Sequence, residues 1–428
     1  MRSRQVWISF SLLLIWTVAI LAVVYLEALW WGHPALRPGN LASLETYLQT
    51  QLEQAEGRSL GSAALLLVRD REVVKTETFG VANPQMRSPV IADQTLYQMA
   101  SVSKMVAAWG VLKLVELGKV QLQDPVLPYL NHWQFPPANP YRSKVTIAQL
   151  LSHTGGLTDQ FGYAGFLPEV QLPTLEQSLT RTEDVAFGLP RGVEAQLAPG
   201  IDWRYSGGGY SVLQLLVEEV SGQSFAQFMQ EQVLNPLGMS QSSFDWSALD
   251  AQGETTNLAT SFTEAIEPSP HRQYVATAAA SLYATLEDMG RFAIANLDPN
   301  PVLKASTLAS MWQPQPGTQG DWGLGYAIYQ ALPTGGAIVG HDGNNVPALN
   351  HTVRLNPQTG DAIVLLISGN RQLASDLGTD WVYWETGRVQ PEAQFRYWQA
   401  RLWAAGLLIS LGAIAIGAMF LRRTQPWL

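Results

Sequence analysis

The chain has 428 residues, 47% hydrophobic and only 14% charged, with a formal net charge of −9 and no cysteine. That length allows a large core and more than one lobe. The acidic balance, with no basic cluster longer than two residues, excludes the electrostatic footprint of a nucleic-acid binder, and the lack of cysteine excludes disulfides, thiolate metal sites and a cysteine nucleophile.

From the N-terminus, Val6 to Leu26 is an uncharged apolar run preceded by Arg2 and Arg4. It is long enough to cross a bilayer, so residues 1–32 are expected to form an uncleaved transmembrane anchor; the rival reading is a signal peptide. Residues 41–390 read as one large domain. Within it, Leu41 to Ala55 is an amphipathic helix, and Ala63–Val68 and Val73–Phe79 are β-type runs around the polar turn Arg69–Glu72, hence a hairpin. Tyr97 to Gly118 reads as a single helix, apolar on nearly every face in its first half and therefore buried. A Pro-rich loop follows, from Asp124 to Pro140. Helices are predicted at Val145–Ser152, Tyr210–Val220, Phe225–Leu234 and through most of Ala276–Ala295. Beyond Trp322 the pattern turns to β-type runs at Leu324–Tyr329, Ala337–Val339, Leu349–Leu355 and Ala362–Ile367, closed by a helix from Leu373 to Glu385. Strands at both ends of the domain with helices between them predict an α+β fold: an antiparallel sheet built from both chain ends and flanked by helices, plus a mainly helical lobe. A second apolar run, Leu402 to Leu421 before Arg422 and Arg423, predicts another transmembrane helix over 398–423. The expected partner is thus a lipid bilayer crossed by two helices. Arg2 and Arg4 favour an extracytoplasmic domain at the cell membrane.

Three short motifs carry chemistry. Ser101-x-x-Lys104 puts a serine and a lysine on one face at the start of the apolar helix. A buried lysine is costly unless paired or neutral, and a neutral lysine beside a hydroxyl is a base beside a nucleophile. Tyr205-Ser206-Gly207 lies in a Gly-rich loop at a helix start, where a phenol near a lysine is expected to favour its phenolate form and serve as a base. His341-Asp342-Gly343-Asn344 follows a β-type run and offers a side-chain donor and open backbone N–H groups to a substrate carbonyl. Each motif alone also reads as a cap, a core aromatic or a turn. Tyr129-Leu130-Asn131 and His153-Thr154-Gly155 spell similar letters and read as structural. The histidines show no metal-ligand spacing, so no metal or cofactor is expected.

The order of the motifs is the discriminating feature. Phe79-Gly-Val-Ala-Asn83, Tyr97-Gln-Met-Ala-Ser101-Val-Ser-Lys104, Leu150-Leu-Ser-His-Thr-Gly-Gly-Leu157, Pro199-Gly200 with Tyr205-Ser-Gly-Gly-Gly-Tyr210, Asn235-Pro-Leu-Gly-Met239 and His341-Asp-Gly-Asn344 occur collinearly. Together they resemble the serine β-lactamase and penicillin-binding-protein superfamily on its class C, esterase-like side. The resemblance implies that Ser101 is the acylated nucleophile, Lys104 its proton partner and Tyr205 the general base or a sharer of that proton. It also implies that His341 lines the cleft and that the N–H groups of Ser101 and Asn344 form an oxyanion hole, with Gly343 and Gly207 beside the substrate. Relatives commonly carry Asn at the position of Gly207, and often Lys at that of His341, so an ester, amide or D-amino-acid peptide is expected in preference to a β-lactam. The expectation is a membrane-anchored serine hydrolase of a small-molecule or peptide substrate. The competing reading is a catalytically silent relative that binds cell-wall peptides or a membrane partner. A transporter is excluded by only two apolar runs, neither containing a charge.

Overall fold

The structure, a computed structural model, describes residues 14–22, 35–159, 162–185, 189–391, 393, 405–412 and 414. Two compact units are distinguished, one of residues 48–378 and one drawn from the two ends of the chain. The larger unit is built on a seven-stranded antiparallel sheet. Its strands are β1 (Ser62–Arg69), β2 (Glu72–Asn83), β3 (Ser88–Pro89), β8 (Ala327–Ala331), β9 (Ala337–Asn345), β10 (Leu349–Asn356) and β11 (Asp361–Ser368), in the order β3-β2-β1-β11-β10-β9-β8. The short strands β4 (Tyr97–Gln98), β5 (Ser261–Phe262), β6 (Pro268–Ser269) and β7 (Tyr283–Ala284) form two separate pairs. The sheet therefore takes its halves from opposite ends of the domain. β1 and β11 pair in the middle, from Ser62 opposite Ser368 to Val68 opposite Ala362. Both strands are buried throughout except at Arg69, which explains their unbroken apolar runs: both faces are covered, so no polar alternation is needed. Each fully buried Leu, Val or Ile here contributes roughly 1.5–3 kcal/mol. β1 and β2 turn through Asp70 and Arg71, both at positive φ (49° and 68°), as a tight hairpin requires.

The helix Leu286–Leu297 packs on β1, β10 and β11, and the helix Val102–Glu116 packs on β9 and on the helices Gly207–Ser221 and Thr277–Ala280. Two expected helices are shorter than their patterns. Tyr97 and Gln98 pair with Ala284 and Tyr283 in β4–β7, so the Ser101 helix begins only at Val102. The Ala276–Ala295 stretch breaks at Ser281, because Thr285 caps a new helix by accepting the Asp288 N–H.

In the smaller unit, Tyr47 donates to Asp380 Oδ2 at 2.7 Å, and the Trp384 indole donates to the Asn40 carbonyl at 2.9 Å. The transmembrane helix expected at each end is corrected here. Among the described residues, no helix is long and apolar enough to cross a membrane. The expected spans are described as helix only at 14–22 and at 405–412 and 414. At about 1.5 Å per residue neither piece approaches the ~30 Å of a hydrocarbon core. The rest of both runs lies outside the described residues, and the two-helix bilayer contact is set aside with them.

Candidate active site

Ser101 occupies the N-cap of the helix Val102–Glu116 and makes no capping hydrogen bond with its side chain. The hydroxyl is therefore free for other work, which is the first departure from an ordinary serine cap. The residue before it, Ala100, is held at φ 46°, a conformation that side chains other than Gly seldom adopt. Strain of that kind persists only where surrounding contacts fix the chain. Here the contact is Gly343 of β9: a Cβ at 343 would lie 2.5 Å from the Met99 carbonyl oxygen and 3.3 Å from the Ala100 Cβ. Only a glycine allows β9 to approach the serine segment this closely.

One helical turn on, Lys104 is 2% exposed. Its Nζ lies 3.1 Å from Ser101 Oγ and 2.7 Å from the Ala279 carbonyl oxygen. The short helix Thr277–Ala280 ends too soon to engage that carbonyl internally, which leaves it for the lysine. Burial pushes the ammonium down to about 7, against an opposing attraction from Asp159. Tyr205 comes in from the loop before the helix Gly207–Ser221, and its hydroxyl donates to Ser101 Oγ at 2.8 Å. Lys104 Nζ sits 5.0 Å from the centre of the Tyr205 ring. Burial raises the phenol well above its ordinary value, with the Ser101 bond opposing. The phenolate expected from the sequence is thus not favoured, and Lys104 is the group whose neutral form is accessible near pH 7.

His341 is buried on β9. Its Nδ1 lies 2.6 Å from the Asp342 carbonyl, so Nδ1 carries the proton. Its Nε2 has no partner among the described residues. Burial, followed by the charge of Lys104, pushes His341 down to about 4, so the ring is neutral at pH 7. Its centroid is 6.5 Å from that of Tyr205. β8 pairs with β9 only as far as Gly340. Beyond it, among the described residues, the edge of 341–345 turned away from β10 has no strand partner. Val102, Ser103 and Lys104 spend their N–H groups on the Met99, Ala100 and Ser101 carbonyls, so the Ser101 N–H and that open edge are the donors available to an oxyanion. Asn344 directs its side chain to the Arg371 carbonyl at 2.5 Å, leaving its backbone as what it can offer. Gly207, the first residue of its helix, is buried, and Lys104 is held by Ala279 with no side chain at 207 to help.

The sequence therefore placed Ser101, Lys104, Tyr205, His341 and Gly343 in segments that do converge. It gave no signal for one contact of Lys104. Ala279 supplies a backbone carbonyl, for which a sequence carries no signal. His153, read as structural, packs its ring 4.4 Å from that of Tyr205. Tyr129, read as structural, bonds to Asp124, and Asn131 to Glu219. A cavity of about 490 Å³ is lined by Asp202, Trp203, Arg204, Tyr205 and Gln319.

A Ser-x-x-Lys pair at the head of a buried helix, a tyrosine from the helical lobe and an open strand edge from an antiparallel sheet define the class of the serine β-lactamases and penicillin-binding proteins. The chain belongs to the Beta-lactamase family, whose family model matches residues 47–388. It is 34% identical over 208 residues to esterase EstB of Burkholderia gladioli, covering 47% of this chain and 51% of EstB. A penicillin-binding protein of Bacillus subtilis (strain 168) is 28% identical over 195 residues, covering 46% of this chain and 40% of that protein. The chain thus spans about half, or less, of the length of these curated relatives. Among solved structures, the octameric penicillin-binding protein homologue from Pyrococcus abyssi shares the fold with a TM-score of 0.64 at 24% identity, over 80% of this chain and 77% of that one.

Proposed function

We propose that the protein is a serine hydrolase that cleaves an ester or amide bond through an acyl-enzyme on Ser101. One observation carries the reading: Ser101 Oγ is within hydrogen-bond reach of both Lys104 Nζ, at 3.1 Å, and the Tyr205 hydroxyl, at 2.8 Å. Neutral Lys104 takes the Ser101 proton as Oγ attacks the carbonyl carbon. The oxyanion that forms is met by the Ser101 N–H and an N–H of the open β9 edge. The tetrahedral intermediate expels the leaving oxygen or nitrogen, which receives a proton from the Tyr205 phenol. The ammonium of Lys104 then restores the phenol. Water attacks the resulting Ser101 ester by the same proton route and releases the acid.

Two features favour a bond with no carboxylate beside it. His341 is neutral where a fixed cation would otherwise hold a substrate carboxylate, and Lys104 is spent on Ser101 and Ala279. Trp203, 39% exposed, and Trp322, 5.4 Å from it between ring centres, add an apolar wall beside Tyr205. The likeness to esterase EstB points the same way. The outer cavity carries charges of both signs, from Asp202 and Arg204, so it does not by itself select an anion.

The test is covalent capture. A fluorophosphonate and a p-nitrophenyl ester are each expected to modify Ser101, identified by peptide mass, with Ser101→Ala giving no adduct. Equal labelling of wild type and Ser101→Ala, or no adduct with these probes and a labelled penicillin, would overturn the reading.

A further inference from the structure

We propose that His153 is the positioning residue that holds Tyr205 against Ser101. The proposal rests on the hydrolase reading above. Tyr205 leaves a Gly-rich loop and has no regular element on its N-terminal side, so something must fix its backbone. His153 does so from both flanks. Its carbonyl accepts the Arg204 N–H at 2.8 Å, and its ring Nδ1 accepts the Ser206 N–H at 3.1 Å. Between those two bonds, the imidazole lies 4.4 Å from the Tyr205 ring, tilted by 36°. One residue thus brackets the tyrosine by main chain, by side chain and by ring contact.

His153 is itself firmly held. It is 2% exposed and sits at φ 58°, a conformation uncommon for a residue with a Cβ. Its N–H bonds to the Leu150 carbonyl, and the next residue, Thr154, accepts the Gly200 N–H at 2.7 Å. The rings of Tyr210 and Trp322 close round it, at 5.3 and 5.0 Å between centres. Because Ser206 N–H is a donor, Nδ1 must present a lone pair, and the ring is neutral with its proton on Nε2. Burial first, and then the charge of Lys104, hold it in that form. Downstream, Ser206 Oγ caps the next helix through the Gly209 N–H at 2.7 Å and donates to Asp159 at 2.7 Å. The frame therefore runs unbroken from the Leu150–Leu157 segment through Tyr205 into the following helix. Backbone strain at a residue that reaches the catalytic tyrosine is what a positioning role predicts; a residue that merely filled space needs neither the acceptor nor the unusual φ.

The experiment measures the rate constant for acylation by an alkyl ester, whose leaving alkoxide needs the Tyr205 proton, in a double-mutant cycle. His153→Phe keeps a ring and removes the acceptor. In the wild-type background it is expected to slow acylation by roughly 10–100-fold, as small misplacements of catalytic groups do. In the Tyr205→Phe background, where no hydroxyl remains to be aimed, the loss should shrink to under about 3-fold. His153→Asn places Oδ1 where Nδ1 stood and tolerates positive φ, so it should retain activity within about 5-fold. An equal loss for His153→Phe in both backgrounds, or no loss in either, overturns the proposal. If His153→Phe does not fold, the cycle is run with His153→Leu, which also removes the acceptor, and an equal loss in both backgrounds, or no loss in either, overturns the proposal. Wild-type protein that forms no Ser101 adduct overturns the hydrolase reading instead, before any His153 variant is made, and this proposal falls with it.

Discussion

Lys104 and Arg354 are both buried in the larger unit, at 2% and 1% exposure, yet they meet opposite surroundings. Arg354 on β10 is bound bidentately by Asp342 on β9, at 2.6 and 2.9 Å, and its guanidinium lies 3.4 Å from the centre of the Tyr329 ring. Burial alone would lower Arg354 and raise Asp342; their mutual attraction outweighs it in both, so the pair stays ionised. Among the described residues, Lys104 is bonded only to neutral oxygens, of Ser101 and Ala279. With no carboxylate bonded to it, burial wins. The comparison shows how one core holds a permanent cation and a switchable one: it pairs the first and withholds the pair from the second. A buried unpaired lysine is costly to stability, and the base role proposed for Lys104 draws on the same burial.

Lys104→Met is the variant with the largest expected effect. Acylation should fall by roughly 10³-fold or more, since a base in contact with the nucleophile is removed. The wild-type rate should rise with pH and level off above the lysine's value of about 7. Stability follows the same group. The folded-state value of about 7 lies below the ordinary 10.5, so between these pH values the unfolded chain binds more protons, and wild-type stability should climb with pH across that window. Lys104→Met should flatten the climb and raise stability at pH 7 by about 1 kcal/mol or more. Pre-steady-state acylation and urea unfolding from pH 6 to 10 check both halves. A methionine variant less stable than wild type at pH 7 would contradict the account of the lysine.

Asp342→Ala attacks the other cation. It strands Arg354 without its carboxylate, which should cost about 3–5 kcal/mol in urea unfolding. Asp342→Ala paired with Arg354→Met should recover much of that loss, because the uncompensated charge, not the missing pair, carries the penalty. Gly343→Ala lies between the two regions. Its Cβ would meet the Met99 carbonyl oxygen at 2.5 Å, so β9 must withdraw from the serine segment. The expected result is a loss of roughly 1–3 kcal/mol in stability together with roughly 10–100-fold in acylation. A variant that keeps wild-type acylation would show that the approach of β9 is not needed for the chemistry.

Part of this was legible in the sequence and part was not, for physical reasons. The central strands could be read because burial on both faces leaves unbroken runs such as Ala63–Val68 and Ala362–Ile367. The Ser101 helix could be read as buried because it is apolar all round, but its start was set five residues early: Tyr97 and Gln98 run into the helix with no break signal, and only their partners Ala284 and Tyr283 make them a strand. Ser101 and Lys104 were legible through their spacing, Tyr205 and His341 through their order along the chain. The Ala279 carbonyl was not legible, since any residue carries one. The protonation states were not legible either: whether a phenol or an amine is the base depends on which loses more solvation, and burial here raises Tyr205 while lowering Lys104.

The smallest expected effect is on selectivity, and it extends the comparison of cations to a third position. His341 is neutral, and in the proposed function it stands where a lysine would present a charge to the substrate. His341→Lys should improve kcat/KM for an ester bearing a carboxylate beside the scissile bond, relative to a neutral ester, by about 10-fold, the order of one exposed charge–charge contact in a cleft. Buried among Tyr205 and Trp322, the new ammonium faces Lys104 as well as substrate. Like charge disfavours the protonated form, so the rising limb of the pH–rate profile should move below its wild-type position near pH 7. The two readouts separate causes. A change in selectivity with an unmoved limb would mean that the new charge reaches substrate but not Lys104. A moved limb with unchanged selectivity would mean that this strand position does not face the substrate's charged group, and the case for uncharged substrates would then rest on the aromatic wall alone.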